Sequence, residues 1–391
     1  MEGKTRTNNE QSDKQYRVLG LMSGSSLDGI DWCMASFNYK NGSWSFQMEG
    51  CGVQDYSPEM VGRLTNAHLL TVNEAMLLQA DFGKLSTIAA EEAVGRCGRP
   101  ELIAEHGHTL IHRPELGYTW QMSAAPMLAT RMRLPVVSDF RRVDVALGGQ
   151  GAPLVPYGDG LLFSQYTACL NLGGIANLSF ERNGVRLGFD VCFANQVLNQ
   201  LAQNLGLPID AGGAIASMAR HSADSTKSAR VARVLSDWAS IDFSRPIPPP
   251  SLSRESLQTN IMPLFESAQL STEDALWAWC QHIAQCVENY LQIYQVRGKI
   301  LITGGGAFNR FLVDCLTETA STHPEWEWEV GSNALITHKE ALLFGFFGLL
   351  RYLGLPNVDA SYTGSSSSHS AGCIYEPFPK SPTFDPNPPA H

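Results

Sequence analysis

Apolar and polar residues alternate in two stretches of this chain that follow one plan. The first reads as a buried strand at Val18–Met22, a glycine- and serine-rich turn, a strand from Trp32 to Tyr39, the dipeptide Asn41-Gly42, and a strand from Trp44 to Glu49. The second reads as Ala168–Leu172, Gly173-Gly174, Ala176–Glu181, Asn183-Gly184 and Val185–Asp190. Asn-Gly between alternating apolar residues is a strong hairpin signal, because a type I′ turn needs positive φ at both central positions. Each half therefore predicts three strands joined by a glycine loop and a tight hairpin. Two related domains with facing glycine loops could hold a polyphosphate between them.

Between and after these stretches the period changes. Met60, Leu64, Leu69, Ala75, Leu78, Leu85 and Ile88 recur at helical spacing across Pro58–Val94. Leu102 to Thr109 reads as a strand that ends in polar residues, and Pro135–Phe140 as another. Gly148-Gly149-Gln150-Gly151-Ala152-Pro153 is a flexible crossing and marks the domain boundary. Helices are expected over Val197–Leu205 and Thr272–Tyr294, around a Pro/Ser loop at 245–255. Lys299–Thr303 predicts a strand, three glycines a turn, and Ala307 the start of a helix. The apolar run within 338–355 is too short to span a bilayer and reads as a buried helix that returns to the first domain. The expected organisation is a disordered N-terminus (1–15), a first domain (16–150 with about 340–375), a second domain (151–339) and a Pro-rich tail (376–391).

Composition narrows the class. A chain of 391 residues with 44% hydrophobic content holds about two domains with sizeable cores. A net charge of −10 and a pI near 5.5 speak against nucleic acid or an anionic membrane as partner. The first fourteen residues are polar, neither signal peptide nor anchor. Nine scattered cysteines without a CxxC pair fit reduced thiols in a cytoplasmic protein.

The candidate chemistry sits at the glycine loops. In Gly20 to Asp31, glycines let backbone N–H groups converge on an anion, Ser25 and Ser26 add hydroxyl donors, and Asp28 and Asp31 suit a hydrated divalent cation. A Gly/Ser turn capped by its own aspartates is the plain alternative. His106, His108 and His112 invite a metal reading, but one strand supplies no third fixed ligand, which favours a hydrogen-bonding substrate loop or a structural role over a metal site. Arg141, at a strand end, suits a carboxylate or phosphate, or a surface pair with an aspartate. Asp190, also at an expected strand end, suits a general base or a cap for the next helix. Gly304-Gly305-Gly306 would let a flat ligand or ribose approach the backbone at a helix start.

These motifs together resemble the superfamily of sugar kinases, acetate kinase, Hsp70 and actin, and within it the anhydro-N-acetylmuramic acid kinase family. The residues that carry the resemblance are GLMSGSSLDGID (20–31), HGHTLIHRP (106–114), DFRRVDVALGGQGAPLVP (139–156), NLGGIANLSF (171–180), GFD (188–190) with Asn195, TGGGAFN (303–309) and Glu340-Ala341. The resemblance implies an α/β fold of duplicated ribonuclease H-like (actin-like ATPase) domains with a nucleotide cleft between them. It implies ATP bound by Gly24, Ser25, Ser26, Leu27, Asp28, Gly29, Ile30 and Asp31, by the opposing Gly173 and Gly174, and by Gly304, Gly305, Gly306 and Asn309. Mg²⁺ would sit at Asp28 and Asp31, through water. The sugar would meet His106, His108, Arg141, Asn195 and Glu340, with Asp190 as the base that activates water. The implied reaction is phosphorylation of 1,6-anhydro-N-acetylmuramic acid at O6 with hydrolytic ring opening, in a cytoplasmic homodimer serving peptidoglycan recycling.

The chain departs from the family pattern in three places. The usual Asp-Thr-Gly-Pro-Gly-Asn is here Asp190-Val191-Cys192-Phe193-Ala194-Asn195, a Gly-Asp pair after Gln121 is Ser123-Ala124, and Lys-Ser-Thr-Gly-Arg-Glu is Pro250 to Glu255. These changes leave open a non-catalytic sugar or nucleotide sensor, or a kinase for a related sugar.

Overall fold

The computed structural model describes residues 14–24, 26–242, 252 and 256–377. The chain divides into two compact units, residues up to Leu162 with those from Glu340, and Phe163–Lys339. The division falls after the helix Val155–Leu162 rather than in the glycine-rich crossing at 148–153, where the sequence placed it.

The first unit opens with β1 (Gln15–Met22), β2 (Gly29–Lys40) and β3 (Ser43–Asp55), continues through β4 (Leu102–Glu105), β5 (His108–Arg113), β6 (Tyr118–Met122) and β7 (Val136–Ser138), and receives β13 (Cys373–Tyr375) at the chain's end. The second unit holds β8 (Ala168–Leu172), β9 (Ile175–Arg182), β10 (Val185–Phe193), β11 (Gly298–Thr303) and β12 (Trp326–Val330). The sheets run β13-β7-β4-β1-β2-β3 and β10-β9-β8-β11-β12, and β5 pairs with β6 alone. Set side by side, β3-β2-β1-β4-β7 and β10-β9-β8-β11-β12 have one plan. The three hairpin strands are antiparallel, and two further strands join parallel to the first. This is a duplicated ribonuclease H-like α/β fold.

The two hairpins form where the sequence requires left-handed backbone. Asn41 and Gly42 have φ of 53° and 83°, and Asn183 and Gly184 have 54° and 76°. In the first unit, Leu19, Leu21, Ile30, Trp32 and Met34 share a core with Leu78, Phe82, Ala89 and Ala93 of the helix Val72–Cys97. The opposite face takes the long helix Asn333–Tyr352 from Glu340 onward. A Cβ on Gly20 would lie 1.9 Å from the Ala341 carbonyl oxygen, so only glycine admits that backbone approach. In the second unit, Leu170, Leu178, Phe180, Ile300 and Ile302 pack with Leu276, Ile283, Val287 and Leu291 of the helix Thr272–Ile293.

Three expected elements differ in detail. The helix over 58–94 is two, Pro58–Thr65 and Val72–Cys97, because Thr71 and Glu74 form a capping box that starts the second. The strand expected to end at Asp190 runs to Phe193, past a bulge between Asp190 and Cys192. The glycine turn leads first into a short 3₁₀ turn, Gly305–Phe308, and the helix begins at Arg310 rather than Ala307. Among the described residues no helix is long and apolar enough to cross a membrane. The N-terminal segment to residue 13, most of the 245–255 loop, and the tail beyond 377 lie outside the described residues.

Candidate active site

In the first unit, the turn after β1 is fastened from below and open above. Leu27 takes a φ of 61°, and the Ser26 hydroxyl donates to Asp28 Oδ1 at 2.8 Å. The Tyr56 N–H donates to the Asp28 carbonyl at 3.1 Å and ties the turn to the end of β3. Asp28 is exposed and Asp31 half-buried, while Ile30 is core. The glycines of this turn have different jobs. A Cβ on Gly29 would come within 2.5 Å of the Gln54 carbonyl oxygen, whereas one on Gly24 would meet nothing nearer than Ser26 Oγ at 3.6 Å. Gly29 is required by strand packing, and Gly24 leaves space that a ligand could use. Ser25 lies outside the described residues.

Behind this turn lies a buried hydrogen-bonded chain that sequence reasoning missed. Tyr56 Oη lies 2.6 Å from Ser23 Oγ, which lies 2.9 Å from His108 Nδ1. Burial pushes the Tyr56 phenol upward, so it keeps its proton. Both hydroxyls can donate or accept, and the chain holds the His108 ring through Nδ1 with Nε2 turned away from Ser23. Burial lowers the His108 ring to about 4, which leaves it neutral.

His106 and His108 do not share a strand. β4 ends at Glu105, and Gly107 (φ 78°) turns the chain before β5; a Cβ there would lie 2.2 Å from the Met122 carbonyl oxygen. The rings consequently find different partners. His106 Nε2 accepts from Arg141 Nε at 2.9 Å, so its Nδ1–H donates to the Gly107 carbonyl at 2.9 Å. Burial, then the Arg141 charge, hold His106 well below its ordinary value and neutral. Arg141 also donates to the Gly151 carbonyl at 2.6 Å. Burial lowers its guanidinium to about 10, against the opposing pull of the Glu340 and Asp144 carboxylates. Arg141 is thus neither a plain surface pair nor fully free. His112 turns to Thr119 Oγ1 at 2.8 Å, and among the described residues no group of three or more His, Cys, Asp or Glu side chains could hold a metal ion.

Glu105 was also overlooked, although a carboxylate closing the apolar run Leu102-Ile103-Ala104 was a visible signal. It is 1% exposed, and its Oε2 accepts from the Ser123 hydroxyl and the Ala124 N–H, both at 2.8 Å. Burial raises it to about 7.

In the second unit, the Gly173-Gly174 turn follows β8. Its carbonyls accept the N–H groups of Ala194 (2.9 Å), Asn195 (3.1 Å) and Gln196 (3.1 Å), binding the turn to the start of the helix Asn195–Gln203. Asn195 Nδ2 donates to the Leu172 carbonyl at 3.0 Å. Its side chain borders the triple glycine, 3.1 Å from where a Cβ of Gly306 would sit. Two of those three glycines are structural. A Cβ on Gly304 (φ 80°) would lie 2.6 Å from Asn171 Oδ1, and one on Gly306 would lie 2.7 Å from Leu172 Cβ. Gly305 is exposed, and a Cβ there would meet only Asn195 Nδ2, at 3.9 Å. Asn309 caps the helix Arg310–Glu318, its Oδ1 accepting the Leu312 N–H at 2.9 Å.

Asp190 is half-buried and sits opposite Asn177 in the β9–β10 pairing. Its Oδ1 accepts from Asn177 Nδ2, and its Oδ2 accepts the Leu252 N–H at 2.9 Å. It does not cap the helix that follows, whose first N–H groups go to the glycine turn. Val191, Cys192, Phe193 and Ala194 are all core residues, and the Phe193 carbonyl accepts from Trp279 Nε1 at 3.1 Å. Val191, Cys192 and Phe193, where the chain departs from the family pattern, finish β10 inside the core.

A family model for anhydro-N-acetylmuramic acid kinase matches residues 16–377. A protein of that name from Salinibacter ruber is 30% identical over 93% of this chain and 96% of its own length. Another, from Xanthomonas oryzae pv. oryzae (strain MAFF 311018), is 34% identical over 91% of this chain and 96% of its own. Among solved structures, component A of the (R)-2-hydroxyglutaryl-CoA dehydratase of Acidaminococcus fermentans aligns at 12% identity with a TM-score of 0.42, covering 85% of this chain and 97% of that one. That likeness is too loose to bear on function. With a match that runs from the first strand to the last, the chain belongs to the anhydro-N-acetylmuramic acid kinase family.

Proposed function

We propose that the protein uses ATP to phosphorylate O6 of 1,6-anhydro-N-acetylmuramic acid while water opens the anhydro bridge, giving N-acetylmuramic acid 6-phosphate for cell-wall recycling. The observation that carries this reading is the Asp190 carboxylate, half-buried, held by two neutral N–H donors and lodged in the same unit as the Gly173-Gly174 and Gly304–Gly306 turns. Donors on both oxygens fix the direction in which the carboxylate's remaining lone pairs point. Asp190 would take a proton from water as the water oxygen bonds to C1. The C1–O6 bond breaks, O6 bonds to the γ-phosphorus, and ADP departs. Ring opening and transfer are thereby coupled, and positioning provides much of the rate.

The open space at Gly24 and Gly305 suits phosphate and nucleoside approaching the backbone. Asp28 and Asp31 fit Mg²⁺, which keeps several waters and needs one or two carboxylates beside the phosphates. When bound, the ion neutralises charge on the transferred phosphoryl group. His108, neutral, would meet the sugar through Nε2 without charge, while His106, both of whose ring nitrogens are taken by Arg141 and Gly107, would act by holding Arg141 in place. A cytoplasmic homodimer completes the reading drawn from the resemblance.

The test combines purified protein, ATP, Mg²⁺ and the anhydro-sugar, with the product followed by mass. A product that has gained both phosphate and water supports the reading. Gain of phosphate alone overturns the coupled mechanism, and ligand binding without turnover favours a sensor. Asp190→Asn should slow ring opening and phosphorylation together by about 10²–10⁴-fold, with ATP binding retained. A near-wild-type rate would place the base elsewhere.

A further inference from the structure

We infer that Asn177 is a positioning residue for the reaction, holding the Asp190 carboxylate at the angle from which it acts on water. The inference rests on the reading of Asp190 as the base. Asn177 and Asp190 are directly opposed across β9 and β10, so the pleat puts both side chains on one face. The backbone pairing already joins these strands on either side of the pair, so the side-chain bond is not needed for register. Asp190 is also the last residue before the bulge, with Cys192 the next to pair. Bulges beside active sites re-aim side chains, and this one shifts the register by one residue before pairing resumes at Cys192. The Asn177 amide on one oxygen and the Leu252 N–H on the other orient the carboxylate next to this register shift. Each donor engages a different oxygen, so the two bonds together fix the plane of the carboxylate.

The next strand repeats the polarity. Asn171 of β8 is the cross-strand partner of Asn177, so an asparagine row leads from the glycine turns toward the base. None of the three residues Asn171, Asn177 and Asp190 is fully buried, as expected of a row that borders space a substrate can enter.

The test uses Asn177→Ala, Asn177→Ser and Asp190→Asn, and the double variant Asn177→Ala/Asp190→Asn, in the full chain. Asn177→Ala should lower kcat by about 10- to 100-fold, the scale expected of a misplaced catalytic group, with KM for ATP and sugar little changed. Asn177→Ser, which keeps a donor, should recover part of the loss. The double variant should be no slower than Asp190→Asn alone, because Asn177 acts only through that carboxylate. An unaltered kcat in Asn177→Ala, or a further loss in the double variant, overturns the inference. Should Asn177→Ala not fold, Asn177→Ser decides, since a rise in KM with unchanged kcat would make Asn177 a binding contact. Failure of the underlying reading looks different: Asp190→Asn would then keep its rate whatever Asn177 does.

Discussion

Replacing Gly304 and Gly305 one at a time should separate fold from ligand. Gly304 has φ 80° and ψ 159°, a region that side chains other than glycine enter at a cost of about 1–3 kcal/mol. An added Cβ would also press to 2.6 Å on Asn171 Oδ1, and overpacking of this kind costs about 1–3 kcal/mol more. Gly304→Ala should therefore lose about 2–6 kcal/mol, a large share of the roughly 5–15 kcal/mol that a folded domain holds. Gly305 has neither constraint, since its nearest neighbour would be 3.9 Å away. Gly305→Val should keep near-wild-type stability yet fill the space that the proposed nucleoside needs. If the steric cost to the complex is about 1–3 kcal/mol, ATP affinity falls about 5- to 150-fold. Thermal unfolding and ATP titration calorimetry on both variants provide the measurements. A Gly305→Val protein that binds ATP normally, or a Gly304→Ala protein as stable as wild type, would refute the division of labour.

Two further outcomes are expected from the first unit. Asp28→Ala removes an exposed carboxylate whose side-chain bond is to Ser26, so stability should change by less than about 0.5 kcal/mol. Turnover should nonetheless fall and need more Mg²⁺, and an unchanged Mg²⁺ titration would return Asp28 to a turn cap. Glu105 is raised from its ordinary 4.5 to about 7 by burial, so the folded protein holds its proton between those values. The stability it contributes is full below about 4.5 and is lost as the pH rises through about 7, a total of about 3 kcal/mol at 1.36 kcal/mol per unit. Denaturant unfolding of Glu105→Gln across that window should show a flatter pH dependence than wild type. Equal slopes would mean that the carboxyl is not perturbed.

The sequence by itself determined the features that neighbouring residues control. Asn41-Gly42 and Asn183-Gly184 dictate their hairpins because few other residues accept positive φ at both positions, and the duplicated sheet follows from them. The motif order sufficed for the family, whereas the triple glycine reads in the sequence as room for a ligand, and the close packing at Gly304 and Gly306 is visible only in the structure. Tertiary structure alone decided the side-chain partners. Asn177 meets Asp190 only through the β9–β10 register, and Tyr56, Ser23 and His108 meet only when the ends of β1 and β3 converge on the start of β5. One left-handed glycine, Gly107, sends His106 to Arg141 and His108 to Ser23. The boundary at Leu162 was equally hidden, because the helix Val155–Leu162 joins a unit by what it packs against rather than by the glycines before it. Backbone preference is a short-range property of the chain, whereas hydrogen-bond partnership and burial are set by segments that folding brings together from far apart in sequence.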